Sequence, residues 1–139
     1  ETGPEPTLRD EAVRLLSGAG LAAAWEKYWR PLFGPLVSEG RVEVARRNAL
    51  GQSVDDIIRG VRVFHGRQDR SDLHDAWRGR LDVVCGEHDR APTVEAASAA
   101  LDHAEQGCLH VLDDVGHCVP IEAPVQLARI IGGHEAQGL

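Results

Sequence analysis

The chain has 139 residues, 22 acidic and 15 basic, for a formal net charge of -7. That length suits one ordinary domain rather than two, and at 42% hydrophobic and 27% charged the chain can bury a core, which argues against disorder. The acidic balance excludes a general nucleic-acid backbone binder, which needs an excess of Lys and Arg to replace counterions. No apolar run approaches ~18 residues, so no membrane-spanning helix is expected, and no basic start followed by an apolar stretch marks a signal peptide. The sequence contains no methionine, not even at residue 1; the expectation is a processed chain or one cut from a longer polypeptide.

From Thr7 to about Trp77 the pattern is helical. Thr7-Leu8-Arg9-Asp10 reads as a capping box, the Thr hydroxyl accepting from a backbone N–H while Asp reaches back. Leu8, Ala12, Leu15 and Leu16 then share one helical face, and Gly18 and Gly20 are expected to break the helix. A second helix, Leu21 to Arg30, carries an aromatic stripe of Trp25, Tyr28 and Trp29 before Pro31 ends it. Arg41 to Leu50 is a third helical segment. Ser53 caps a fourth, with Ile57, Ile58, Val61 and Phe64 as its apolar side. Arg67 to Ser71 reads as a loop, and the mixed charges Arg67, Asp69, Arg70, Asp72, His74 and Asp75 read as a solvated face. His65, Asp69 and His74 lack the compact spacing of a metal site.

After Arg80 the period changes. Leu81 to Cys85 is a short, largely apolar run closed by Gly86, the signature of a strand. Thr93 can cap a helix with Val94, Ala97, Leu101 and Ala104 on one face; Cys108 to Leu112 is a second strand, and Pro124 opens a last helix bearing Val125, Leu127, Ala128 and Ile131. Two strand–loop–helix units in succession predict an α/β chain with parallel strands joined by a crossover. Parallel strands need cover on both faces and neighbours on both edges, and two strands supply neither. The expectation is therefore part of a larger α/β domain, with self-association as the way a lone chain would cover its sheet edges. Gly132 to Leu139 is expected to fray. Cys85, Cys108 and Cys118 are odd in number and lack a C-x-x-C spacing; they are expected to be mostly buried thiols of a reducing compartment, hence a cytoplasmic location.

In parallel α/β sheets functional groups gather in the loops after the strands' carboxyl ends. Here those loops read Gly86-Glu87-His88-Asp89-Arg90 and Asp113-Asp114-Val115-Gly116-His117. An acid after one strand and a histidine after its neighbour can meet at hydrogen-bond range, where Asp89 would fix the tautomer of His117 and stabilise its imidazolium. Asp113 and Asp114 read as turn residues; Glu87 and His88 flank the acid, either supporting it or simply exposed.

Gly86-Glu87-His88-Asp89, followed by Gly116-His117 and then Glu122 and Pro124, resembles the carboxyl-terminal half of an α/β-hydrolase-fold enzyme. That family runs in the order nucleophile, acid, histidine, so the resemblance implies that Asp89 is the catalytic acid and His117 the general base, with Glu122 and Pro124 opening the final helix. It further implies that residues 1–78 form a helical cap and 79–139 the last strand–helix units of the core, with Trp25, Trp29 and Phe33 facing substrate. The implied function is carboxylic ester or lactone hydrolysis on small hydrophobic substrates, with no cofactor and no metal.

The nucleophile elbow G-x-S-x-G is absent. Gly51-Gln52-Ser53-Val54-Asp55 lacks the second glycine and follows a helical stretch rather than a strand, and Ser53 reads as a helix cap. No oxyanion-hole loop matches either. The nucleophile would then come from the amino-terminal half of the same hydrolase, present as a second chain or a lost segment, and this chain alone is expected to be inactive. Two other readings share the fold: an Asp nucleophile, giving dehalogenase or epoxide-hydrolase chemistry, and a ligand-binding member without turnover.

Overall fold

A computed structural model describes residues 7–68, 73, 76–102, 104 and 106–135. The elements, in chain order, are α1 (Leu8–Ala24), a π-helical turn (Trp25–Trp29), a 3₁₀ turn (Arg30–Leu32), α2 (Glu39–Leu50), α3 (Val54–Gly66), β1 (Arg80–Gly86), α4 (Val94–Ala99), β2 (Gln106–Leu112), α5 (Val119–Glu122) and α6 (Pro124–Glu135). They divide into two compact units, one comprising Glu1–Pro31 and Glu43–Asp69, the other Leu32–Val42 and Arg70–Leu139.

The first unit is helical. Its start is the expected capping box: Thr7 Oγ1 accepts from the Asp10 amide at 3.3 Å, and the Asp10 carboxylate accepts from the Thr7 amide at 3.4 Å. Together these satisfy two of the donors that a helix N-terminus leaves orphaned. The helix bends at Gly20, where φ is +76°, and not at Gly18. Glycine takes that left-handed conformation without a Cβ penalty. The bend turns the chain into the Trp25–Trp29 π-turn, and a 3₁₀ turn carries it through Pro31 to Leu32. Leu16, Leu21 and Ala24 bury against Ile58 of α3, with Val13, Leu50, Val61 and Trp29 packed around them. Ser53 caps α3 by accepting from the Asp56 amide at 3.4 Å.

The second unit holds the sheet. β1 and β2 run parallel in register from Arg80 opposite Gln106 to Gly86 opposite Leu112. The crossover passes through α4, capped by Thr93, and α4 is shorter than its sequence pattern, ending at Ala99 before a turn through Asp102. Leu112, Val115, Val119 and Ala123 form a buried cluster closed by Val84, Leu127 and Ile130, which seats α6 on one face of the sheet. That helix continues through Glu135 rather than fraying from Gly132; residues 136–139, like Asp69, Arg70, Asp72, His74 and Asp75, lie outside the described residues. Among the described residues β1 pairs with β2 alone, and both strands are only partly buried until their last one or two residues. No described helix is long and apolar enough to cross a membrane.

Adding a Cβ at Gly20 forces an L-residue into the left-handed region at a helix bend. Gly20→Ala is therefore expected to lower stability by about 1–2 kcal/mol, read as a lower urea midpoint with an unchanged denaturant slope.

Candidate active site

Both strands end at the same edge of the sheet, and the loops that follow are stitched together through main-chain atoms. The Glu87 amide donates to Leu112 O at 2.9 Å and the His88 amide to Val115 O at 2.9 Å. Gly86 lies where the second loop crosses: a Cβ there would collide with the carbonyl groups of Val115 and Gly116. The Glu87 carboxylate accepts from the Asp114 amide at 3.1 Å, and Asp114 takes φ 59°, a left-handed turn position that aspartate tolerates better than most residues. Glu87 is thus a loop brace, and Asp114 is the turn it braces.

This frame brings Asp89 and His117 together. His117 Nδ1 lies 3.0 Å from Asp89 Oδ2 and 3.1 Å from Oδ1. The Asp89 side chain is 5% exposed and that of His117 40%, an acid at the back and an imidazole at the opening. Asp89 Oδ1 also accepts from the Ala91 amide at 2.8 Å, and the Asp89 amide donates to Gly86 O at 3.1 Å. The carboxylate is therefore held on both sides. A carboxylate only accepts, so Nδ1 bears the hydrogen and Nε2 is the basic nitrogen.

A second carboxylate holds the histidine loop, a part that the sequence did not assign to Glu122. Glu122 is buried, and its Oε2 accepts from the amides of Gly34 at 2.7 Å and Gly116 at 3.0 Å while Oε1 accepts from the Cys118 amide at 3.0 Å. The donors flank His117 on both sides and reach back to the segment after the 3₁₀ turn. The His117 amide itself donates to Leu32 O at 2.8 Å, and the Arg41 guanidinium donates to the Glu122 carbonyl. Gly34 and Gly116 face each other: a Cβ on Gly34 would sit 2.7 Å from the Gly116 nitrogen, and one on Gly116 would sit 2.5 Å from the Gly34 nitrogen. Only glycine lets both amides reach one carboxylate. The spacing of Glu122 behind His117 was visible in the sequence, but its partner Gly34 was not.

Beside the pair, a cleft of about 380 Å³ is lined by Val83, Val84, Cys85, Ala97, Val119 and Leu127, with Asp89 and His117 at its wall. Of the aromatics assigned to substrate, Trp25 is buried and its ring centroid lies 6.4 Å from that of Trp29. Trp29 packs on the helical core, whereas Phe33 belongs to the sheet unit, one residue before Gly34. Ser53 caps α3, as its sequence context indicated.

Three solved structures are similar in fold. A thermophilic esterase from Thermogutta terrifontis superposes with a TM-score of 0.79 at 20% identity, over 93% of this chain and 48% of its own. MenH from S. aureus gives 0.79 at 17% identity, over 94% and 50%. Est816, described as an N-acyl homoserine lactone degrading enzyme, gives 0.67 at 17% identity, over 94% and 52%. The chain has the fold of the cap and carboxyl-terminal portion of an α/β-hydrolase. It spans about half the length of the solved chains it matches. No protein-family model and no curated protein matches it.

The cysteines are all free, and Cys108 is exposed rather than buried, because the amino-terminal half of β2 is open. Burial pushes the Cys118 thiol up, and the Glu122 and Asp89 charges add to the rise; burial, then Asp89, pushes Cys85 up likewise. A raised thiol pKa means less thiolate at a given pH, so at about pH 8 iodoacetamide should label Cys108 well before Cys85 and Cys118, as peptide mapping would show. For Glu122→Gln, an amide NH₂ replaces an acceptor of buried N–H groups, at an expected cost of at least about 2 kcal/mol. Hydrogen exchange should show the Gly34, Gly116 and Cys118 amides losing protection while those of α1 keep theirs.

Proposed function

We propose that this chain supplies the acid and the general base of a hydrolase acting on small hydrophobic carboxylic esters or lactones. The nucleophile and the oxyanion donors would come from polypeptide outside these 139 residues, either the amino-terminal half on a second chain or a segment of the same one. The observation carrying the reading is the Asp89–His117 pair, with Nδ1 3.0 Å from a buried carboxylate and Nε2 left as the base. In the reaction, Nε2 takes the hydroxyl proton of the nucleophile as its oxygen attacks the carbonyl carbon. The carbon–oxygen bond to the leaving group then breaks, and the same proton passes to the departing alkoxide. Water, deprotonated in turn by His117, attacks the acyl carbon; the bond from that carbon to the nucleophile's oxygen breaks, the oxygen takes the proton back from Nε2, and the acid is freed. Asp89 stays ionised throughout and stabilises the imidazolium.

Two of the similar structures, an esterase and an N-acyl homoserine lactone degrading enzyme, support an ester or lactone as the substrate. The open edge of β1 and the apolar cleft beside it support a further strand at that place, supplied by the rest of the core. Phe33, which shares the sheet unit with Asp89 and His117, is assigned to the substrate side, and the free thiols favour a reducing, cytoplasmic setting.

Native and then denaturing mass spectrometry of the purified protein tests the partner: a co-purifying polypeptide with a Ser elbow supports the reading, and an Asp elbow would replace ester cleavage with dehalogenase or epoxide chemistry. In the complete enzyme, His117→Ala and Asp89→Asn should each lower kcat on a short-chain aryl ester by about 10³–10⁴-fold with little change in substrate binding. Turnover unchanged by either substitution overturns the assignment.

A further inference from the structure

The sheet register places a second group of polar, metal-ligating side chains part-way along the strands, before the loops that carry Asp89 and His117. Asp82 of β1 is the register partner of Cys108 of β2, and His110 follows Cys108 by two residues. Alternate residues of a strand share a face, so Asp82, Cys108 and His110 project from one side of the sheet. One donor atom from each lies within 4.8 Å of the other two, and His110 Nε2 is 3.4 Å from Asp82 Oδ1.

From this geometry we infer that Asp82, Cys108 and His110 form a zinc-binding site. A thiolate, an imidazole and a carboxylate together are the donor set of Zn²⁺; Ca²⁺ and Mg²⁺ take oxygen ligands. Tetrahedral ligands about 2.0–2.3 Å from a metal stand about 3.3–3.8 Å from one another, so the Asp82–His110 separation fits and Cys108, exposed on β2, closes the set with a rotamer change. A fourth position is left for water. The Arg80 guanidinium competes for this site: its Nε lies 2.6 Å from Asp82 Oδ2 and its Nη2 3.1 Å from Oδ1. Arg80 is half exposed on a long stem, so its head can swing to solvent as the metal takes the carboxylate. Binding releases the Cys108 thiol proton, and that of His110 where it is charged, to solvent; affinity therefore falls as pH falls. The other mixed cluster, Glu87, His88 and Asp114, is wholly exposed, and its Glu87 carboxylate is engaged by the Asp114 amide. The inference is independent of the hydrolase reading, since none of its residues touches the Asp89–His117 pair.

The test is titration of the full chain, freed of metal, with ZnCl₂ by calorimetry and with CoCl₂ by absorbance. One equivalent of Zn²⁺ should bind, Co²⁺ should give a thiolate charge-transfer band, and Zn²⁺ should slow Cys108 alkylation at least about ten-fold. Cys108→Ser and His110→Ala should each weaken binding by about ten-fold or more, whereas Arg80→Ala should tighten it. Affinity retained in Cys108→Ser or His110→Ala overturns the site, as does Zn²⁺ binding that His88→Ala abolishes. No gain in Arg80→Ala overturns Asp82 as a ligand. Alkylation protection needs no substitution, so a variant that fails to fold leaves that readout intact.

Discussion

The buried carboxylate of Glu122 is the constraint on which the rest of the site depends. A carboxylate taken out of water loses its hydration, and the loss is offset only if the protein supplies donors in its place. Here three main-chain amides do so, from Gly34, Gly116 and Cys118. In return each amide is fixed in position, and two of them flank His117. The imidazole is thus positioned less by its own contacts than by an anion five residues further along the chain that holds the backbone on either side of it. Asp89 then needs only to meet a ring whose place is already set.

The sheet presents the opposite situation. Its carboxyl ends are buried and cross-linked, while its amino ends and the outer edge of β1 stand open among the described residues. A parallel pair is marginal without further strands and cover on both faces. The half-length match to solved α/β-hydrolases accords with this: the edge that lacks a neighbour here is bordered by the cleft beside Asp89 and His117. The fold therefore concentrates its order where the two loops meet.

Much of this was legible in the sequence because the signals were local. Thr7, Ser53 and Thr93 each stand three residues before the amide from which their hydroxyl accepts, and all three cap helices. The two strands announced themselves by short, largely apolar runs, and the acid and histidine by standing just after them. Glu122 was legible as part of a spacing but not as an anion receptor, because Gly34 lies 88 residues away and contributes only its backbone. The same distance hid the membership of Leu32–Val42 in the sheet unit, since the ties that place it there run to Gly116–Glu122. The Asp82, Cys108 and His110 grouping depends on strand register, which one residue of slip would abolish. Cys108 was misjudged as buried because free cysteine is usually buried, and an open strand end overrides that tendency.

The donors to Glu122 are all main-chain groups, and that has a consequence for how such a sequence can drift. Hydrogen bonds from amides impose no requirement on the side chains that sit above them. Gly34 and Gly116 are fixed by the space between them, but Cys118 meets the carboxylate through its amide, a bond that sets no requirement on its side chain. The residue next to the histidine can thus change its side chain while the amide that holds the loop keeps its bond.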